Sequence, residues 1–183
     1  MTPRKWIPNI RFGIAKKRAR NESIMNKNYI TELREYSISV LREGNRGKSL
    51  SMLAKYNCSE VSRLVGLKVI RDLGILSKPF ILKGDVLGDG IDKDNIHDIL
   101  GFFDEESSKF ILVDPTIWQF LPRKRNIFLG EFNTLDEAIT FSNKFYEGEW
   151  EFSEYVDEKN EDVNEMKRII MLNCDQAPDW EGK

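Results

Sequence analysis

Three side chains in this sequence could supply a nucleophile, a base and an orienting acid: Cys58, His97 and Asp114. The chain of 183 residues has one histidine and two cysteines. Any reaction that needs an imidazole must therefore use His97, and a metal site with two histidines cannot be built. The spacing of Cys58 and Cys174 matches neither a zinc site nor a disulfide framework, which favours a reducing compartment and predicts neither a metal nor a cofactor.

Cys58 is predicted to open a helix. Asn57 can act as the N-cap with Glu60 at the third helical position, in a variant of the capping box, and Gly74 supplies a stop. The apolar residues that follow at helical spacing are Val61, Leu64, Val65, Val69 and Leu73. Because helix N-termini favour anions, a thiol at this position is suited to act as a thiolate nucleophile, with the N–H groups receiving an oxyanion. The alternative is a small buried hydrophobic cysteine.

His97 and Asp114 are predicted to face each other across a hairpin. Strands at residues 96–103 and 110–114 flank a polar turn. If Phe103 pairs with Phe110, Asp114 becomes the diagonal neighbour of His97, at about 7–8 Å between backbone positions and within side-chain reach. The carboxylate would hold the imidazole in one tautomer. The alternatives are a histidine bonded to backbone and an aspartate that forms an Asx turn before Pro115.

The remaining patterns predict an α+β domain with an antiparallel sheet packed on a central helix. They indicate a helix at residues 28–41, a strand at 79–83, a glycine-rich loop at 84–92 and a helix that begins at the Thr134 capping box. The loop has acidic residues at intervals, but it lacks the closing glutamate of a calcium site.

The two ends of the chain carry opposite charge. Seven basic residues and no acid lie between Arg4 and Arg20, whereas nine acids and one base lie between Glu147 and Glu165. We divide the chain into a basic arm and helix at 1–44, a core at 45–146 and an acidic region at 147–183, within a single domain overall. The arm and the acidic region are expected to be appendages, and the acidic stretch could cover the site.

Several partner classes are disfavoured by the sequence. The longest apolar stretches have four residues, far below the roughly 20 of a membrane span, and the N-terminus lacks the apolar segment of a secretory signal. A sequence pI near 5.6 and the absence of a groove-reading motif oppose nucleic-acid binding. We expect a cytoplasmic protein.

The order of these elements resembles the core of papain-like and transglutaminase-like cysteine enzymes. The resemblance covers residues 45–120. It rests on Asn57-Cys58-Ser59-Glu60-Val61-Ser62 leading into Leu73-Gly74-Ile75, on Ile96-His97, and on the segment from Val113 to Phe120, Val-Asp-Pro-Thr-Ile-Trp-Gln-Phe. This last segment is similar to the Asp-Pro-Thr-x-x-Gln-Phe ending of papain-fold domains in bacterial toxins and effectors.

The resemblance implies a Cys-His-Asp triad in which Cys58 is the nucleophile, His97 the general base and Asp114 the orienting acid. Asn57 and Gln119 are secondary candidates for contacts with the substrate or an oxyanion. The implied activity is acyl transfer on a protein or peptide substrate, as a protease, a glutamine deamidase or a transglutaminase. A toxin or effector would have a cognate immunity or regulatory protein and a delivery route that needs no signal peptide.

Two alternatives remain open at the level of sequence. The chain could be a catalytically idle domain of the same fold that binds a partner protein through its charged ends. Cys174 could instead be the working cysteine, although no histidine follows it and no cap pattern precedes it.

Overall fold

The computed structural model describes residues 27–43, 47–73, 75–87 and 96–176. The basic arm, the Gly74 stop and most of the predicted loop at 84–92 lie outside these residues. The helices are α1 (Lys27–Arg42), α2 (Leu50–Ala54), α3 (Cys58–Asp72), α4 (Leu135–Phe145) and α5 (Val163–Gln176). The strands are β1 (Phe80–Asp85), β2 (Ile96–Asp104), β3 (Lys109–Asp114), β4 (Phe128–Phe132) and β5 (Trp150–Tyr155), and a short 3₁₀ turn spans Ile117–Gln119.

The strands form one antiparallel sheet in the order β4-β3-β2-β1-β5. The α+β prediction with an antiparallel sheet is therefore confirmed. The predicted pairing of Phe103 with Phe110 across the β2–β3 hairpin is also confirmed. Strand β1 runs through Gly84 and Asp85, so the first two residues of the predicted loop belong to the sheet instead.

Helix α3 lies in the centre of the helical layer on one face of the sheet. Its buried side chains share a core with residues of α1, α2 and α5 and with one face of the strands. Gly66 allows close packing, because a Cβ there would lie 3.0 Å from Leu100 of β2. A buried hydrogen bond of 3.0 Å from the Ser62 hydroxyl to the Asp98 carbonyl also joins α3 to β2. The helix that begins at Cys58 is thereby fixed to the strand that carries His97.

The other face of the sheet carries a second, more aromatic core under α4. Its buried members include Phe80, Leu82, Ile99, Leu112 and Tyr146. The predicted cap of α4 is present, since the Thr134 hydroxyl accepts a hydrogen bond of 3.1 Å from the Glu137 N–H. The Glu137 carboxylate accepts a hydrogen bond of 2.9 Å from the Asn133 N–H, and the backbone N–H groups of Asn133 and Thr134 both lower the pKa of Glu137.

The expectation that the acidic region is an appendage is wrong. Strand β5 pairs with β1 as an edge strand of the sheet, and α5 packs into the helical layer. The buried side of α5 is a single stripe at four-residue spacing, formed by Met166, Ile170 and Cys174. The acids of α5, Glu165 and Asp175, lie at exposed positions outside this stripe.

We predict that α5 contributes directly to the stability of the domain. Ile170→Ala should lower the free energy of unfolding by about 2–5 kcal/mol, because it leaves a cavity in the core shared with α3. Met171→Ala, at an exposed neighbouring position, is the matched control and should change it by about 0.5 kcal/mol or less. Urea unfolding of both variants tests this, and similar small losses would mean that α5 is only loosely attached.

Candidate active site

The candidate site lies at one end of the sheet, where the helix carrying Cys58 also begins. Asp114 is the last residue of β3, and His97 is the second residue of β2. Gly84 near the end of β1 pairs with both His97 and Trp150, the first residue of β5. In an antiparallel sheet these strand ends coincide. The ends of β1 and β3 therefore lie beside the starts of β2 and β5, close to the start of α3.

Cys58 is the first residue of α3 and is partly exposed. The helix starts with a hydrogen bond of 3.0 Å from the Val61 N–H to the Asn57 carbonyl. The N–H groups of the first turn have no partner within the helix, and they carry the positive end of its dipole. This position therefore suits a group that becomes negatively charged.

The prediction that the Asn57 side chain caps α3 is wrong. Asn57 is the N-cap residue, but its side chain makes no capping hydrogen bond. It is fully buried and donates to the Leu53 carbonyl at 2.7 Å, while its oxygen accepts from Asn173 at 3.0 Å. Its backbone N–H donates to the Ala54 carbonyl at 3.2 Å. Since each of these groups has a protein partner, Asn57 is poorly placed to contact a substrate or an oxyanion.

His97 and Asp114 form a direct hydrogen bond in the interior. The distance from His97 Nε2 to Asp114 Oδ2 is 2.9 Å, and the two side chains are 1% and 0% exposed. The contact follows from the hairpin register, which makes them diagonal neighbours on the same face. The structure thus brings together the pair that sequence spacing predicted.

Two further residues complete the environment of Asp114. The Tyr146 hydroxyl donates to Oδ2 at 2.7 Å, and Thr116 donates to Oδ1 through its N–H at 2.9 Å and its hydroxyl at 3.2 Å. Sequence reasoning did not assign either residue to the site. Thr116 belongs to the Asp-Pro-Thr segment and lies opposite His97 when the hairpin register is extended, whereas Tyr146, directly after α4, has no local signal. Only the packing of α4 on the sheet brings Tyr146 to the carboxylate.

The electrostatics favour an imidazolium–carboxylate pair. Burial alone would lower the pKa of His97, but the charge and hydrogen bond of Asp114, with a smaller contribution from Cys58, raise this pKa to about 10. Burial alone would raise the pKa of Asp114, but His97, Tyr146 and Thr116 together hold it below its ordinary value. The pKa of Tyr146 is raised well above its ordinary value by burial and by the Asp114 charge, so its hydroxyl remains a donor.

The other side of the imidazole faces Cys58 and Gln119. The Cys58 thiol interacts with the His97 ring closely enough to contribute to the raised pKa of the imidazole. The Gln119 side-chain nitrogen lies 3.0 Å from Nδ1 of His97, and it also donates to the Thr116 hydroxyl at 3.4 Å. Cys58, His97, Asp114 and Gln119 are therefore assembled in one place, while Asn57 turns away from it.

Aromatic side chains enclose the imidazole ring. The centroids of Phe120, Tyr146 and Trp150 lie 4.9, 5.7 and 5.9 Å from that of His97. Trp150 crosses over Gly84 to reach this position, and a Cβ at Gly84 would lie 2.5 Å from the indole ring. A glycine is therefore needed between the histidine strand and the tryptophan strand. The enclosure keeps the ion pair in a medium of low dielectric constant, where it is poorly screened.

Comparisons with protein-family models, with curated proteins and with solved structures give no match for this chain. The interpretation of the site therefore depends on its own residues and their geometry.

Two other features of the described residues bear on the class of protein. In the ranges given above, no group of three or more histidine, cysteine, aspartate or glutamate side chains is placed to hold a metal ion. The helices within those ranges also include none that is long and apolar enough to cross a membrane.

Cys174 occupies a different environment from Cys58. It is 1% exposed on the inner stripe of α5, where burial raises the pKa of its thiol. Its sulfur lies 3.6 Å from the Asn57 side-chain nitrogen and 3.8 Å from the Leu41 and Leu53 carbonyl oxygens. This setting is typical of a structural cysteine.

The buried ion pair predicts a specific dependence of stability on pH. Because the folded-state pKa of His97, about 10, exceeds its ordinary value of 6.5, the folded state binds a proton that the unfolded state loses over this interval. The stabilisation is complete below about pH 6.5 and is lost as the pH rises through about 10. The Asp114 contribution is present above its ordinary pKa of 3.8 and is lost as the pH falls below it.

Urea unfolding of the wild type and of His97→Gln from about pH 6.5 to 10 measures this effect. The advantage of the wild type should shrink as the pH rises, by at most about 1.4 kcal/mol per pH unit. Parallel curves for the two proteins over that range would show that His97 is not charged in the folded state.

Proposed function

We propose that this chain is a cysteine-dependent acyl-transfer enzyme with a papain-like or transglutaminase-like core, acting on a protein or peptide. The observation that carries the proposal is the position of the His97 imidazole, which is hydrogen-bonded to the buried Asp114 carboxylate and interacts with the thiol at the start of α3. A nucleophile, a proton shuttle and an orienting acid in this order are what acyl transfer by a cysteine requires.

The proposed reaction begins when the Cys58 thiolate attacks a carbonyl carbon of the substrate. The carbon–sulfur bond forms and the carbonyl electron pair moves to oxygen, which accepts hydrogen bonds from the N–H groups that begin α3. When the tetrahedral intermediate collapses, the carbon–nitrogen bond breaks and the leaving amine takes a proton from the His97 imidazolium. A thioester on Cys58 and a neutral imidazole remain.

The second half of the reaction regenerates the enzyme. An acceptor, either water or an amine, gives a proton to the neutral imidazole as it attacks the thioester, and the sulfur leaves as a thiolate. Water acting on a thioester from a peptide bond gives proteolysis, and water acting on one from glutamine gives deamidation. An amine acceptor gives transamidation. The same three residues serve all these outcomes, so the shape of the surrounding cleft selects the acceptor and the substrate.

The two ring nitrogens of His97 have different roles in this scheme. Asp114 occupies Nε2, so Nδ1 is the nitrogen that remains for proton exchange with Cys58 and the leaving group. Asp114 is held in turn by Tyr146 and Thr116, which fix the orientation of the carboxylate. The Gln119 amide lies beside Nδ1, where its NH2 group donates to the neutral ring and its oxygen must turn towards Nδ1 when the ring is protonated.

We predict that Cys58 reacts with iodoacetamide much faster than Cys174 at about pH 7. An imidazolium beside a sulfur atom favours the reactive thiolate, whereas burial favours the thiol. Mass-spectrometric peptide mapping over time measures the two rates in one sample of wild-type protein. Equally slow alkylation of both cysteines would contradict the enzyme proposal and would favour a binding module.

Asp114→Asn should slow the alkylation of Cys58, because the asparagine cannot stabilise a charged imidazole. We expect a decrease of about tenfold or more, equivalent to the loss of about 1.4 kcal/mol of electrostatic stabilisation. Asp136→Asn, at an exposed position in the first turn of α4, is the matched control and should react at the wild-type rate. An unchanged alkylation rate in Asp114→Asn would show that Cys58 and His97 act as a pair without Asp114.

The toxin or effector role is part of the proposal and has its own test. Expression of the wild type in bacterial and eukaryotic cells should impair growth, and Cys58→Ala should remove the effect while the protein still folds. Circular dichroism of the purified variant checks folding. Equal toxicity of the two proteins would show that the toxicity does not depend on the chemistry proposed for Cys58.

A further inference from the structure

Three residues, Lys55–Asn57, connect the end of α2 to Cys58, and we call them the entrance loop. Tyr56 adopts φ = 68°, in the left-handed region that a residue with a Cβ atom disfavours. Its side chain is 64% exposed, so packing of the ring in the core does not explain this conformation. Hydrogen bonds to the backbone of the entrance loop must maintain it.

Asn173 of α5 supplies these contacts. Its side-chain nitrogen donates to the Tyr56 carbonyl at 3.1 Å and to the Asn57 side-chain oxygen at 3.0 Å. Asn57 in turn donates to the Leu53 carbonyl at the end of α2. A single amide from the last helix therefore binds both residues that immediately precede the nucleophile.

The same turn of α5 also binds Lys48, which lies just before α2. The Lys48 ammonium donates to the carbonyls of Cys174 and Asp175 at 2.9 and 3.4 Å. Cations interact favourably with the carbonyls that end a helix. Residues 48–57 are thereby attached at both ends to residues 173–175 of α5.

We propose that Asn173 is a positioning residue for Cys58. It holds the entrance loop in the strained conformation that directs the first turn of α3, and with it the thiol, towards His97. The inference rests on the proposed function, and it adds that reactivity depends on the docking of the C-terminal helix. Small displacements of reacting groups are enough to lower rates strongly.

The test compares alkylation of Cys58 by iodoacetamide in the full chain with and without the Asn173 amide. Asn173→Ala should slow alkylation on the order of tenfold or more, because the entrance loop relaxes and the thiol moves away from the imidazolium. Asn164→Ala removes an exposed asparagine from the same helix and should react like the wild type. Ile170→Val loosens the core under α5 without touching the loop, and it should lower the melting temperature without slowing alkylation.

A backbone rescue separates positioning from general stabilisation. Glycine adopts φ = 68° without a Cβ penalty, so adding Tyr56→Gly to Asn173→Ala should recover much of the lost rate. Adding Tyr56→Ala removes the same aromatic ring, keeps the penalty and should recover none. If Asn173→Ala does not fold, Asn173→Ser provides the same comparison.

The outcomes distinguish the inference from the proposed function. Slow alkylation of Cys58 in the wild type itself would overturn both. Fast alkylation in the wild type that is unchanged in Asn173→Ala would overturn only the positioning role. A loss in Asn173→Ala that Ile170→Val reproduces, or that Tyr56→Gly and Tyr56→Ala rescue equally, would also overturn it.

Discussion

The buried ion pair between His97 and Asp114 is the interaction on which the site depends. Taking two charged groups out of water is costly unless each is paired and hydrogen-bonded. The carboxylate meets this condition with donors from His97, Tyr146 and Thr116, and it occupies a strand end covered by α4. The aromatic core under α4 therefore does more than stabilise the sheet. It supplies the Tyr146 hydroxyl to Asp114, and in its buried setting the poorly screened Asp114 charge keeps the imidazole charged despite the cost of burial.

The two layers of the fold contribute different parts of the candidate triad. The helical layer presents Cys58 at the start of α3, and the aromatic layer surrounds His97 with Phe120, Tyr146 and Trp150. The two meet at the end of the sheet, where the hydrogen bond from Ser62 to the Asp98 carbonyl fixes α3 against β2 one residue beyond His97. The proposed proton transfer needs rigid elements on both sides, because it requires contact within hydrogen-bond distance.

The acidic part of the chain has a structural role that its charge conceals. Strand β5 carries Trp150 to the imidazole, and α5 carries Asn173 to the residues before Cys58. Negative charges are spread along the exposed side of β5, an arrangement that discourages the pairing of further strands at the edge of a sheet. The same segment thus combines a solvated surface with contacts that reach both sides of the site.

Local sequence was sufficient to predict the elements with strong periodicity and the relationship between His97 and Asp114. The apolar spacing after Cys58 predicted α3, and the turn between two short strands set the register that makes His97 and Asp114 diagonal neighbours. Local sequence can determine these features because helix periodicity and hairpin register depend on residues close together in the chain.

The packing of the helical and aromatic layers on the sheet selects the other side chains that complete the site. Tyr146 and Trp150 join it through α4 and β5, and Asn57 turns from a predicted cap into a buried partner of Asn173. These contacts connect residues that are about 30 to 120 positions apart in sequence. No local pattern specifies such pairs, because they depend on how the two layers pack against the sheet and on which polar groups that packing buries.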